Sequence, residues 1–438
     1  MPRLAPLLTC LLGLLLLAAT PAHAQEAPPW GTGESQGEDL SIYLATFGPG
    51  DDVASWWGHG SLVVEDKRLQ HSRLYNYGMF SFDERMLARY AMGRLEFWVD
   101  DASPQGTFRL YRALNRDVRL QELNLTPAQR VEMGRLLAEN VRPENRNYLY
   151  QHYDDNCVTR LRDGIDKVLG GQLRQAMSVP GRMTLREHTR RYTDVGPPMS
   201  LLLDFLMNDE IDRPVTRWQE AFLPDELERQ LAQFQVVGED GQKRPLVAKN
   251  LNIYEAQGRP ETPAAPPKYG PVLALLGLAL GGGALALAIW GGRTGGRAPR
   301  ILLGLQNAVV GLVFGVPGLA LLVMWLGTEH TVTWRNENLF LANPLTLLAL
   351  PLGVQVMFGS TKARERLLRL WVVLAGLGVL GLLLKALPMF DQDNWRLIVL
   401  LLPLSLGMAG AMWVVRRAWA PSVAARTPEP LSPSLKTS

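Results

Sequence analysis

Two cysteines occur in the 438 residues, Cys10 and Cys157, and the second stands where a thiol could work. Asp155-Asn156 is suited to cap a helix, and Val158, Leu161, Ile165 and Val168 recur at helical spacing up to Gly170-Gly171. The spacing predicts a helix that opens at Cys157. Free N–H groups and the partial positive charge at a helix's amino end favour a thiolate, and they can also hold an oxyanion. Such a nucleophile needs a base, and the base needs a group to orient it. His59 has the most suggestive context, Trp56-Trp57-Gly58-His59-Gly60-Ser61, because flanking glycines let other groups approach the imidazole. Asn76 lies on the next predicted strand, where it could bond the far ring nitrogen and fix the tautomer. The result is a Cys–His–Asn set in which the base precedes the nucleophile along the chain.

Each residue also has a plainer reading. A lone cysteine on an amphipathic helix is usually a packed hydrophobe. His59 could be a turn histidine, and Asn76 a strand-end side chain bonded to backbone. His152 is the alternative base. His71 is expected solvated in a charged turn, and His188, within the polar run 186–191, on a surface face. The sequence has no HExxH, no paired cysteines and no tight His/Asp cluster, so neither a metal nor a cofactor is expected. A net charge of +3 without a basic tract gives no reason to expect a nucleic-acid partner.

The elements that must position these residues fall into unlike halves. Arg3, the apolar run Leu7–Ala19 and Ala22-His23-Ala24 read as a leader over 1–24, which would carry Cys10 away. Residues 25–256 read as an α+β domain, an antiparallel sheet with helices packed on it. Strands are expected at 40–47, 61–65 and 73–79, with further strand signal at 95–99 and 107–113. Thr126-Pro127 opens a helix to about Val141, and 172–235 is mainly helical, with one helix beginning at Pro224. A Pro-rich linker over 257–269 leads to an α-helical membrane domain over 270–416, and a disordered tail follows over 417–438. About five apolar segments are long enough to span, near 271–290, 301–326, 339–358, 368–387 and 396–415, the third interrupted by Pro344 and Pro351. Arginines and lysines gather between the first and second segments, between the third and fourth, and after the fifth. Positive loops mark the cytoplasmic side, so the first domain is expected in the periplasm, anchored to the inner (cytoplasmic) membrane.

At Trp57-Gly58-His59, Tyr75-Asn76-Tyr77-Gly78 and Asn156-Cys157-Val158-Thr159-Arg160 the sequence resembles the Lnb-type lipoprotein N-acyltransferases. The likeness extends to Leu123–Thr126, to Tyr148-Leu149-Tyr150 and to the loop His330–Asn343. The soluble half also resembles the permuted papain-like group that includes the lecithin retinol acyltransferase and NlpC/P60 relatives. The resemblance implies a permuted papain-like fold and a thioester acyl-enzyme, with Cys157 as nucleophile and His59 as base. Asn76 as the orienting group is an inference from position. The implied partners are a phospholipid acyl donor, an apolipoprotein acceptor whose lipidated amino-terminal cysteine offers its α-amine, and the lipid bilayer. Tyr77 and Asn156, inside the shared motifs, and His330, Trp334, Arg335 and Asn336 in the outer loop are the expected substrate-binding residues. Two other functions stand beside this one: a periplasmic cysteine peptidase or amidase acting on cell-wall peptides, and a non-enzymatic membrane assembly factor.

Overall fold

The computed structural model describes residues 27–81 and 84–419. The leader expected over 1–24, with Cys10, and the tail from 420 onward lie outside the described residues. The chain divides into two units. Of the described residues, the first holds those up to 200, 211–267 and 327–330; the second holds 201–210, 268–326 and those from 331.

The first unit is built on nine strands: β1 Leu40–Phe47, β2 His59–Asp66, β3 His71–Met79, β4 Glu96–Ala102, β5 Val118–Leu123, β6 Asn147–Leu149, β7 Gln235–Val237, β8 Lys243–Pro245 and β9 Val247–Tyr254. Seven of them form one sheet in the order β6-β4-β3-β2-β1-β5-β9, and β7 and β8 form a separate pair. Every pairing is antiparallel. The helices of this unit are α1 Pro29–Thr32, α2 Glu84–Met92, α3 Pro104–Ala113, α4 Pro127–Asn140, α5 Cys157–Val168, α6 Gln172–Met177, α7 Leu185–Tyr192, α8 Pro197–Leu206, α9 Arg217–Glu220 and α10 Pro224–Gln233. The last residues of α8 belong to the second unit.

The sheet is covered on both faces, which is why β1 is buried along almost its whole length. Side chains alternate along a strand. Ile42, Leu44, Leu62, Val64, Tyr75 and Tyr77 therefore share one face, and they cluster with Met133 and Leu137 of α4 and Leu161 and Ile165 of α5. Ala45, Phe47, Val63 and Leu74 share the other, packed against Phe108 and Tyr111 of α3. The segment 107–113 thus belongs to a helix, where a strand was expected. Ser103 caps it by accepting from the Gly106 N–H, Pro104 occupies its first turn, and Phe108 and Tyr111 fall three residues apart on its inner side.

Helix α5 has a buried stripe of Val158, Leu161, Ile165 and Val168, as the spacing predicts. Asn156 holds its first turn. The Asn156 Oδ1 accepts from the N–H groups of Val158 (2.8 Å) and Thr159 (2.9 Å), and its Nδ2 donates to the carbonyls of His152 (2.8 Å) and Phe222 (2.9 Å). One buried amide therefore fixes a helix start against two loops.

The expected linker does not run free. The Arg182 Nη1 donates to the Ala264 carbonyl (3.2 Å), the Gln257 N–H to Asn115 Oδ1 (2.8 Å) and the Arg191 Nε to the Pro263 carbonyl (2.5 Å). Residues up to 267 accordingly belong to the first unit.

The second unit contains four apolar helices long enough to cross a membrane: α11 Gly270–Thr294, α12 Arg297–Gly327, α14 Thr361–Leu384 and α15 Trp395–Ala418. Between α12 and α14 lies the short helix α13 Ala349–Met357. The third expected span is broken: Thr331–Phe340 and Pro344–Met357 meet at a bend of 58°. Pro344 has no N–H to continue the preceding turn, so the break falls there. Bare glycines let the helices close up, as where a Cβ on Gly407 would come within 2.3 Å of the Gly281 Cα. Asn307, fully buried in α12, accepts from the Trp371 indole N–H (2.7 Å).

Replacing Asn156 by Ala removes four hydrogen bonds, three of them buried, and is expected to cost roughly 2 kcal/mol. Asp in its place keeps the two helix-capping bonds and loses the two loop bonds, so it should fall between. Thermal unfolding of the detergent-solubilised protein checks the order; a wild-type midpoint for the Ala variant would contradict it.

Candidate active site

Strand parity brings the first pair together. His59 and Asn76 lie on the α3 face, because Val63 and Leu74 on the same strands point that way. The His59 Nε2–H donates to Asn76 Oδ1 at 2.5 Å. That bond assigns the ring proton to Nε2 and leaves the Nδ1 lone pair available as a base. The Asn76 Nδ2 donates in turn to Met79 Sδ (3.1 Å), which holds the amide in this orientation. Phe47 and Tyr111 lie nearly parallel to the imidazole, with centroids 6.1 and 6.4 Å away.

Cys157 comes from the opposite side, on a helix that packs against the other face. Two glycines let it reach the imidazole. At Gly60 a Cβ would stand 3.0 Å from Leu161 and 3.4 Å from Val158, so the bare backbone lets α5 settle onto β2. At Gly78 the β3–β4 register shifts, and the backbone turns to φ +92°. A Cβ there would stand 3.4 Å from Cys157 Cβ, 3.9 Å from His59 Cε1 and 4.0 Å from the Tyr148 hydroxyl. The notch left by Gly78 is thus bordered by a cysteine, an imidazole and a phenol at once.

The Cys157 sulfur accepts from the backbone N–H groups of Gly60, Val158 and Cys157 itself. These donors favour the thiolate, as does the charge of Arg116. Burial outweighs them and pushes the thiol up to about 11. The helix start favours the thiolate, as its position suggests, but burial sets the balance. Burial likewise drives His59 down to about 4; the bond to Asn76 works against this and Arg116 adds to it. At neutral pH the site holds a thiol beside a neutral imidazole.

Two groups gain importance that sequence reasoning did not assign. The Tyr148 hydroxyl is buried and has no hydrogen-bond partner. Burial and the neighbouring Cys157 keep that phenol protonated, so it is a donor without an acceptor. The Arg160 guanidinium lies 3.9 Å over its ring and fixes the ring from behind. Arg116 is also buried; its Nε donates to the Gly48 carbonyl (2.8 Å), and its Nη2 has no partner. The signal for Tyr148 was present in Tyr148-Leu149-Tyr150, nine positions before the cysteine, but no spacing rule gives that motif a role.

The remaining expected residues are scattered. Tyr77 points to the core face, 3 % exposed, and its hydroxyl accepts from Asn140 Nδ2 (2.6 Å). Asn156 spends both ends of its amide on the cap and the loops. Both side chains are thus engaged within the fold. In the outer loop, Asn336 is buried, and its Nδ2 donates to the Phe205 (3.2 Å) and Leu206 (2.9 Å) carbonyls. Trp334 and Arg335 are exposed, Arg335 with φ +52°. The His330 Nε2 donates to the Tyr90 carbonyl (2.9 Å) within the first unit.

The other histidines also find places. His152 is packed edge-on against Trp57, Tyr153 and Phe222, and burial lowers it to about 4. His188, expected on the surface, is fully buried; its Nε2 bonds Glu220 Oε1 and its Nδ1 accepts from Arg191 Nη1, both at 2.9 Å. His71 is partly buried against Trp30, and its Nε2 has no partner. Among the described residues no three His, Cys, Asp or Glu side chains converge as a metal site requires.

Comparison with known families gives two matches in sequence order. Residues 26–191 match the Lnb N-terminal periplasmic domain, and residues 297–416 match the Lnb transmembrane domain. No curated protein and no solved structure matches the chain.

The protonation state makes a direct prediction. Alkylation of Cys157 by iodoacetamide should be slow at neutral pH and should keep rising as the pH approaches about 11. A rate already level at neutral pH would mean a standing thiolate and would contradict the burial argument.

Proposed function

The chain belongs to the Lnb family, and on that premise we propose that it is an acyltransferase of the bacterial inner membrane. It moves an acyl chain from a phospholipid, through a thioester on Cys157, to the α-amine of the lipidated amino-terminal cysteine of an apolipoprotein. The observation that carries this reading is the Gly78 notch, bordered by Cys157 Cβ, His59 Cε1 and the unpartnered Tyr148 hydroxyl.

In the first half-reaction a phospholipid ester carbonyl enters the notch. The sulfur attacks the carbonyl carbon as the thiol proton passes to His59 Nδ1. Charge that develops on the carbonyl oxygen is met by the Tyr148 O–H, a donor already in place and shielded from water. The imidazolium that forms is stabilised through Nε2–H to Asn76. Collapse breaks the ester C–O bond, His59 returns the proton to the leaving oxygen, and lysophospholipid departs. In the second half-reaction the acceptor amine attacks the thioester carbonyl. His59 takes the ammonium proton and delivers it to the departing sulfur, so that an amide forms and the thiol is restored.

The membrane unit suits these substrates, since donor and acceptor both reside in the bilayer. Its apolar helices keep the periplasmic domain in the compartment where they meet.

Mass spectrometry of lipoprotein amino termini tests the whole scheme: cells with Cys157→Ala or His59→Ala should lack the amide-linked chain. Acyl-enzyme should form on incubation with labelled phospholipid and be absent from Cys157→Ala. Tyr148→Phe should keep the thiol and lower turnover by about 100-fold. Unchanged lipoproteins in the Cys157→Ala cells would overturn the proposal. Hydrolysis of a cell-wall peptide lost in the same variant would favour a peptidase in its place.

A further inference from the structure

At the turn between α2 and β4 the first unit has a second cavity, of about 280 Å³. Arg89 and Arg94 line it from the turn, Glu96 and Trp98 from β4, and Arg146 and Asn147 from the start of β6. Three guanidiniums thus surround one lining carboxylate. Arg89 pairs with Glu96, and Arg94 donates to Glu329 through Nε (2.9 Å) and Nη2 (2.6 Å). All of these side chains are about half exposed, and such pairs hold weakly. Arg146 forms no ion pair among the described residues. The arrangement suits a stronger acceptor than it now has, and the planar fork of arginine matches phosphate oxygens.

Two further observations say where that phosphate would come from. The first is the cavity's relation to the reaction centre. Asn147 lines the cavity, and the next residue of the same strand, Tyr148, reaches the Gly78 notch. Trp98 pairs with Asn147, and Phe97 with Tyr148. Cavity and notch therefore meet at neighbouring residues of one three-residue strand. The second is its relation to the bilayer. The Glu329 N–H donates to the Met92 carbonyl (2.9 Å), and His330 bonds the Tyr90 carbonyl. Gly93 stays bare because a Cβ would stand 2.8 Å from that backbone. Glu329 follows Gly327, the last residue of the apolar helix α12, by two positions along the chain, so the segment that grips this turn is the one that leaves the end of a candidate membrane span. Tyr90 and Met92, 55 % and 50 % exposed on that turn, suit an interfacial setting.

We propose that this cavity binds a phosphate diester, the headgroup phosphate of the acyl-donor phospholipid, and thereby presents that lipid's ester to Cys157. The assignment rests on the acyltransferase reading and adds the recognition element for its donor.

The test uses the full-length protein in detergent micelles with two donors, phosphatidylglycerol and diacylglycerol, which has the ester but no phosphate. Arg146→Gln should raise the KM for phosphatidylglycerol about ten-fold and leave diacylglycerol kinetics unchanged, and Arg146→Lys should recover part of the loss. Equal effects on both donors, or none, would overturn the proposal. Soluble glycerophosphoglycerol should compete with phosphatidylglycerol on the wild type; equal competition by inorganic phosphate would assign the site to free phosphate and remove the headgroup. If neither donor acylates the wild type, the acyltransferase reading fails by itself. Calorimetric titration of Cys157→Ala with glycerophosphoglycerol then decides the cavity separately, since heat of binding that vanishes with Arg146→Gln supports it and no heat refutes it.

Discussion

An alternating strand sends His59 and Asn76 to one face of the sheet and Leu62, Tyr75 and Tyr77 to the other. Helix α5 packs on that second face, so its first residue and the imidazole start on opposite sides of a hydrogen-bonded layer. Gly60 lets the helix approach closely enough for the strand's own N–H to reach the sulfur. Gly78, with its shifted register, removes the side chain that would stand between sulfur and ring. Any residue with a Cβ at 78 would need an unfavourable backbone as well as the occupied space. The rest of the periplasmic domain can be read as support for this crossing: Asn156 sets where α5 starts, α3 supplies the aromatic floor beneath His59, and β6 brings Tyr148 to the rim.

Burial then decides the electrical state of the site. Three N–H donors and a buried arginine favour the thiolate, yet the apolar surroundings win. The same surroundings keep the imidazole neutral. In the proposed reaction charge separates as the substrate arrives, where the Tyr148 hydroxyl and Asn76 are already positioned. Preorganised donors of this kind lower the cost of charge formation because nothing has to reorient.

Much of this could be read from the residues. Periodicity and caps placed α4 and α5, and glycine flanks singled out His59. The spacing to Asn76 anticipated a bond that strand parity makes possible. The failures have particular causes. Thr107–Tyr111 alternates apolar and polar residues as a strand would, but Ser103-Pro104 had already committed the chain to a helix. The edge strand β9 is exposed over most of its length and leaves no apolar stripe to notice. The run Arg186–Arg191 looks solvated, whereas its charges are buried by partners far along the chain: Glu220, Glu226 and Asp212. Tyr77 sits beside Asn76 in a shared motif, and period-2 geometry sends it the other way. Long-range pairing of this kind has no local signature. In the membrane unit, by contrast, Pro344 and Pro351 marked the third segment as interrupted, and the bend falls just before Pro344.

A thiol held near 11 has a consequence beyond turnover. With burial holding the thiol up, little of the protein carries the thiolate at neutral pH, and thiolate is the form that oxidants and disulfides attack. The periplasm is oxidising, and Cys157 is a free cysteine among the described residues. Under the proposed chemistry, apolar packing around Cys157 therefore also works as chemical armour: the sulfur stays unreactive toward passing disulfides and becomes a nucleophile only beside a base, on a carbonyl that has entered the notch.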